Sequence, residues 1–366
     1  MRDDAAVLIV GAGPTGLAAA LFLAERGHVA RVVERRVERS PHSKAFGVNA
    51  RTLELLSASG VAERFLAGGR RLRRLAVRRG GRTLATLHLD AVAHRYPFMH
   101  VQSQADSERL LEEALAERGV LVQRGVEVVG VRRDGGRALV DLVSGGGERR
   151  TIGADCVLAA DGSGSAVRKA LGIAFDGEAY AEPWRLYDVE LDVPLSPDEA
   201  SVVLLDDGGM FVVRLEANVW RVLGNVEHLL ERLPPGTRVG AVHWHSEFAI
   251  SNRVAARFAE PPCYLAGDAA HVHAGIGARG LNLGIEDAYV FAALYDAGQL
   301  ARYDGLRRPT VRRVVGRIRR AMGPTRPSTL PGRIVRAAPW AVSVLVPAIR
   351  RPIERWILGL DHGLGL

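Results

Sequence analysis

Residues 5–36 read AAVLIVGAGPTGLAAALFLAERGHVARVVERR, and their pattern decides the fold of the first part of the chain. An apolar run meets a Gly-x-Gly-x-x-Gly turn at Gly11, Gly13 and Gly16, continues into a helix, and returns as a second apolar run closing on Glu34. This is the βαβ pattern of a dinucleotide-binding unit. The first glycine permits the tight turn, the second lets a pyrophosphate approach the backbone, and the third lets helix pack on strand. The helix N-terminus adds N–H groups and partial positive charge for phosphates. Glu34, 23 positions after Gly11, is placed to accept hydrogen bonds from a ribose.

The rest of the composition sets limits. With 366 residues and 48% hydrophobic content, the chain can bury a core large enough for two intimately joined domains. The net charge of +8 is carried almost wholly by arginine, with lysine only at Lys44 and Lys169. Without an aromatic-and-basic recognition module, this reads as arginine-rich composition rather than a nucleic-acid surface. No signal sequence opens the chain, because the apolar stretch from Val7 runs straight into the glycine motif. The longest late apolar run, residues 337–349, holds two prolines and falls short of the roughly 20 residues of a membrane span. A cytoplasmic protein without integral membrane association, as monomer or homodimer, is expected. Cys156 and Cys263 each sit in a strand-like apolar stretch and read as buried free thiols. The pairs His271/His273 and His243/His245 lack a third ligand at motif spacing, so no metal is expected.

Two further stretches repeat the theme of an apolar strand running into glycine. CVLAADGSGSAVRKALGI (156–173) ends its strand in Asp161-Gly162, and CYLAGDAAHVHAGIGARGLNLGIEDA (263–288) ends its own at Gly267-Asp268. With G-x-G-x-x-G, D-G-x-x-S-x-V-R and G-D-A-A-H in that order, the chain resembles the FAD-dependent aromatic hydroxylases. These are single-component flavoprotein monooxygenases of the para-hydroxybenzoate hydroxylase type. The resemblance is nearest to the polyketide hydroxylases; since the chain ends at Leu366, their C-terminal thioredoxin-like domain is expected to be absent.

The resemblance implies an α/β fold: a Rossmann-like FAD-binding domain interleaved with a mostly antiparallel β-sheet substrate domain, plus a C-terminal helical tail. The FAD domain is assigned to residues 1–71, 104–174 and 263–323, the substrate sheet to 72–103 and 175–262, and the helical segment to 324–366. It implies tightly bound FAD, transient NAD(P)H and molecular oxygen, with one oxygen atom passing to an aromatic or polyketide substrate through a flavin C4a-hydroperoxide. Baeyer–Villiger oxidation, epoxidation, dehydrogenation, or a redox-silent flavin-binding partner protein are the alternatives on the same fold.

For the cofactor, the resemblance implies Gly11, Gly13, Pro14, Gly16, Glu34, Arg35, Arg51, Arg109, Asp161 and Asp268, with Arg168 for the nicotinamide nucleotide. The glycine-rich run at Gly277, Gly280 and Gly284 would keep side chains off the flavin. Free N–H groups near Leu281 and Asn282 would then face the end of the ring that becomes negative on reduction. The pattern departs from the family at Gly275, where a proline is usual, and at Ala278-Arg279 in place of Gly-Gln. Arg279 is accordingly expected near the flavin, and His271 as a structural hydrogen-bonding residue. No general base is assigned; His100, Tyr187, Arg214 and Gly275 are the pocket candidates.

Overall fold

The computed structural model describes residues 4–39, 45–321 and 347–366. Lys44 and most of the expected tail, residues 324–346, lie outside the described residues. The strand Ala5–Val10 is central to an eight-stranded sheet, parallel to Ala30–Glu34 on one side and to Arg149–Ala159 on the other. Val122–Arg124 and Cys263–Leu265 extend the parallel run outward, and an antiparallel hairpin, Val126–Asp134 with Arg137–Ser144, branches from Arg149–Ala159.

The helix Pro14–Ala24 is apolar on every face, and it is buried from Gly16 to Leu23. An all-round apolar helix must be covered on all sides. Here it packs against the helices Gln104–Ala116 and Arg279–Asp296. Its approach to the sheet depends on two glycines. Gly11 has φ +100°, and a Cβ there would lie 2.4 Å from the Ala160 carbonyl oxygen; a Cβ on Gly16 would lie 1.9 Å from the Gly11 carbonyl oxygen.

A second eight-stranded sheet runs in the order His271–Val272, Arg238–Ala255, Phe175–Asp192, Val219–Gly224, Gly209–Glu216, Glu199–Leu204, Arg74–Arg79 and Arg82–His88. Every pairing is antiparallel except Glu199–Leu204 with Arg74–Arg79. Side chains on a strand alternate faces, so residues two apart share one. Leu75 and Val77, Trp184 and Leu186, Val202 and Leu204, and Phe248 and Ile250 all line the same cavity on this rule. The apolar alternation in these strands thus makes the wall of a chamber.

Two helices finish the chain as described. Tyr303–Ala321 buries Val311, Val314 and Ile318 and exposes Arg312, Arg313, Arg319 and Arg320, while Pro347–Ile357 closes over the cavity. No described helix is long and apolar enough to cross a membrane. Among the described residues no group of three or more His, Cys, Asp or Glu could hold a metal ion, and both cysteines are free and buried.

Candidate functional site

One cavity of about 1270 Å³ runs between the two sheets. It exceeds the roughly 300–1,000 Å³ of a site for one small molecule, so it has room for a large cofactor and a second ligand. Its two halves differ in chemistry.

The first half is built at the carboxyl ends of the parallel strands, where open α/β sheets bind ligands. Gly11, Ala12, Gly13, Pro14, Glu34, Arg35, Asp161, Gly162 and Asp268 all line it. The carboxylate of Glu34 is held in place, Oε2 accepting from the Ala12 N–H at 2.8 Å and Oε1 from the Arg36 N–H at 2.9 Å. Asp161 Oδ2 accepts from the Ala166 N–H at 2.8 Å, while its Oδ1 is buried without a partner. Burial pushes the Asp161 carboxyl above its ordinary range, against hydrogen bonds that favour the charge. Asp268 lines the cavity and is exposed to it, with no hydrogen-bond partner among the described residues. The protein packed around the hollow raises its pKa too, with His271 opposing.

Two helix N-termini point at the same space. Pro14–Ala24 follows an extended Gly13 that gives no side-chain cap, and Arg279–Asp296 follows Ala278, left-handed at φ +51° and likewise without a side-chain cap. Uncapped N-terminal N–H groups carry partial positive charge and await an acceptor. Thr15, Ala278, Gly280 and Leu281 bring both ends to the cavity wall. A Cβ built on Gly13 would meet nothing within 4 Å, so the turn opens onto empty space. A buried unpartnered oxygen on Asp161, the open carboxylate of Asp268, two helix N-termini and an open glycine together fit a dinucleotide with ribose hydroxyls, phosphates and a ring that gains negative charge.

Among the described residues, the cationic side chains in the lining all belong to this half: Arg35, Arg36, Arg39, Arg124 and Lys169. In the other half the second sheet contributes Leu75, Val77, Trp184, Leu186, Met210, Phe211, Leu223, Phe248 and Ile250, with Ser251 its one polar side chain. His273 stands at the wall of the cavity, its Nδ1 donating to the Ala274 carbonyl at 2.8 Å and its Nε2 without a partner. Burial pushes its pKa down to about 4, so the ring is neutral at ordinary pH.

The chain matches the family described as FAD binding domain over residues 4–223 and 224–317. It belongs to that family. FAD is therefore the dinucleotide of this FAD binding domain protein. Pentachlorophenol 4-monooxygenase of Sphingobium chlorophenolicum is 31% identical over 313 residues, covering 78% of this chain and 57% of that protein. The 6-methylpretetramide 4-monooxygenase of Streptomyces rimosus is 32% identical over 310 residues, covering 79% and 55%. The chain thus spans a little over half the length of the curated relatives it matches. Among solved structures, the OxyS anhydrotetracycline hydroxylase from Streptomyces rimosus superposes with TM-score 0.83 at 29% identity, over 98% of this chain and 76% of that one. The p-nitrophenol 4-monooxygenase PnpA from Pseudomonas putida DLL-E4 shares the fold, with TM-score 0.86 at 23% identity over 99% of each chain.

Not every residue expected from the sequence reaches the cavity of this FAD binding domain protein. Gly275, Gly277, Gly280 and Leu281 do; Gly16, Arg51, Arg109, Arg168, Asn282, His100, Tyr187 and Arg214 are absent from the lining. Gly16 lies beneath the turn, where it permits close packing. Asn282 is buried as a clamp, accepting from the Asn49 N–H and donating to the Gly47 carbonyl, both at 2.9 Å. Arg168 braces two loops, donating to the Ala269 and Ser163 carbonyls while its guanidinium lies 3.9 Å over the Phe175 ring. Arg51 donates to the His362 carbonyl, and Arg109 pairs on an exposed helix face with Glu113. His100 is buried against Gln102, Tyr187 stacks on His245, and Arg214 does not line the chamber although its strand offers Met210 and Phe211 to it.

Arg279 turns away from the space expected to hold the flavin: fully buried, it donates to the Trp356 carbonyl at 2.8 Å. His271 is a structural residue, its Nε2 2.7 Å from Asp287 Oδ2. Among the cavity residues that motif reading missed are Arg36, Arg39, Arg124 and Lys169, together with Ile353, Trp356 and Ile357 of the last helix. The i, i+3, i+4 spacing of the last three was the available signal, but it marks only an apolar helix face. Because Arg109 forms only exposed ion pairs, Arg109→Ala should change stability by no more than about 0.5 kcal/mol, measured by urea titration, and leave FAD affinity as it was. A tenfold or greater loss of FAD binding, read by calorimetry, would restore the arginine to the cofactor site.

Proposed function

We propose that this protein is an FAD-dependent monooxygenase that consumes NAD(P)H and places one oxygen atom on an electron-rich aromatic molecule of low polarity. One observation carries the reading: a charged dinucleotide half and an uncharged apolar half share a single cavity and meet at the N-terminus of the helix Arg279–Asp296. In this reading Gly11, Gly13, Pro14 and the first helix take the pyrophosphate, Glu34 and Arg35 the adenosine, and Asp161 and Asp268 the hydroxyls and phosphate between the two ends. The bound FAD supplies electron transfer from NAD(P)H and activation of oxygen. The N–H groups at Gly280 and Leu281, with the helix dipole behind them, stabilise negative charge at that point. The apolar strands exclude water and orient a flat ring, and neutral His273 leaves the chamber without added charge. Among the relatives, one is named for pentachlorophenol and another as an aromatic compound monooxygenase, which agrees with this division of the cavity.

The test is product mass. Purified yellow protein is given NADH or NADPH under air with a panel of single-ring and fused-ring phenols, and NAD(P)H loss and products are followed together. Faster NAD(P)H loss with a product one oxygen atom heavier is expected. A product lacking two hydrogens and carrying no new oxygen would make the protein a dehydrogenase, and no response to any aromatic would end the enzymatic reading.

A further inference from the structure

We propose that the C-terminal segment Pro347–Ile357, with the residues after it, is a working wall of the apolar chamber. Trp356 is the indole on which a flat, uncharged substrate packs, and Arg279 is the residue that positions it. This rests on the aromatic-substrate reading above and adds to it two residues that lie in none of the three glycine motifs' expected roles.

Trp356 joins the glycine-rich loop directly to the cavity. It lines the chamber with Ile353 and Ile357, and its six-membered ring lies so close to Gly277 that a Cβ there would come within 2.9 Å of it. Gly277 is therefore small because an indole occupies the side-chain space on one side. Facing the chamber from the second sheet are Trp184, Leu186, Phe248 and Ile250, none of them charged. A neutral ring system between an indole and an apolar strand wall gains dispersion and burial, whereas a carboxylate or phenolate would lose hydration with no cation among the described residues there to replace it.

The segment is held there by buried polar contacts rather than by apolar packing alone. Arg279 donates to the Trp356 carbonyl at 2.8 Å and has Glu286 and Asp361 at 3.7 Å. His362 Nε2 sits 2.8 Å from Glu286, and the Arg51 N–H donates to the Leu358 carbonyl at 3.2 Å. Glu354, fully buried, accepts from the His88 N–H at 2.8 Å at the edge of the second sheet. The segment thus bridges the loop at Gly277, the helix Arg279–Asp296 and the substrate sheet. Arg279, out of pattern for a flavin loop, stands where it can hold the wall.

The experiment uses the FAD-loaded protein and 1,8-dihydroxyanthraquinone, a neutral tricyclic phenol, as calorimetric probe. Trp356→Ala should weaken its binding about thirtyfold and Trp356→Phe no more than about threefold, with FAD content unchanged in both. Arg279→Gln should speed hydrogen exchange at the Leu358 to Leu360 amides about a hundredfold and weaken the probe about tenfold, with Arg279→Lys between it and the wild type. Equal probe binding by wild type and Trp356→Ala overturns the proposal and leaves the aromatic reading standing. Unchanged exchange in a folded Arg279→Gln variant overturns the positioning role. Should Arg279→Gln fail to fold, the Trp356 pair still decides. No binding of the probe to the wild type overturns the proposal, and if aromatics also leave NAD(P)H oxidation unmoved, the reading beneath it falls as well.

Discussion

Gly13→Val should give a folded protein that has lost its flavin. Gly13 has φ −76° in an extended conformation that valine adopts readily, and its Cβ direction is empty of protein. The side chain therefore strains nothing in the apoprotein, and the poorer helix start costs about 1 kcal/mol. It does fill the space where a pyrophosphate would approach the helix N-terminus. Losing that approach and its N–H contacts should weaken FAD by at least about a hundredfold. Gly16→Val separates the two glycine roles: its Cβ would collide with the Gly11 backbone at 1.9 Å, so this variant should fail to fold rather than fold empty. Flavin absorbance per chain, calorimetric titration of the apoprotein with FAD and a thermal melt decide the matter. A yellow Gly13→Val protein with wild-type affinity would remove the pyrophosphate from this turn.

The second large effect is expected at Asp287. Its Oδ2 accepts from the Gly267 N–H at 3.0 Å and lies 2.7 Å from His271 Nε2, while its Oδ1 accepts from Arg307 Nε at 2.7 Å. All three side chains are fully buried. Breaking a buried pair by deleting one partner leaves an uncompensated charge, so Asp287→Ala should cost about 3–5 kcal/mol. At the roughly 1–2 °C per kcal/mol that size scaling gives a chain this long, that lowers Tm by about 5 °C, and the Gly267-Asp268 turn loses its tether as well.

The pH dependence follows from the same cluster. Burial alone would push the Asp287 and Glu286 carboxyls up; Arg307 with His271 in one case, and His362, Arg307 and Arg279 in the other, reverse this and hold both below the ordinary range. Their contribution is therefore present above the unfolded values near pH 4 and lost as pH falls through the lower folded values. His362 behaves oppositely: burial alone would lower it, but Asp361 and Glu286 raise it. Its contribution is complete below about pH 6.5 and lost as pH rises through the raised folded value. Wild-type stability against urea should thus peak between these limits, and Asp287→Ala should flatten the acid limb while keeping the alkaline one. An unchanged acid limb would show that other carboxylates carry it.

How much was legible in the sequence differs from residue to residue. That Gly11, Gly13, Glu34, Asp161 and Asp268 line the cavity was readable because each lies at or just past the carboxyl end of a strand whose apolar run announces it, where open α/β sheets form their ligand crevice. The resemblance to FAD-dependent aromatic hydroxylases followed from the order of three such stretches, and family membership agrees with it. Arg51, Arg109 and Arg168 show the limit of that logic. An arginine near a motif looks the same in sequence whether it meets a phosphate, a backbone carbonyl or a neighbouring glutamate, and here the tertiary contacts go to the latter two.

The sequence by itself determined the βαβ unit, the three strand-ending glycine turns and the apolar alternation of the second sheet's strands, because each is written in neighbours within about 30 residues. Only the tertiary structure decided where Arg279 points, that Trp356 covers Gly277, and that the charged side chains described in the cavity gather in one half. These depend on contacts between segments far apart in the chain, such as the 77 positions between Arg279 and Trp356, and local periodicity carries no record of which distant face fills the space above a glycine.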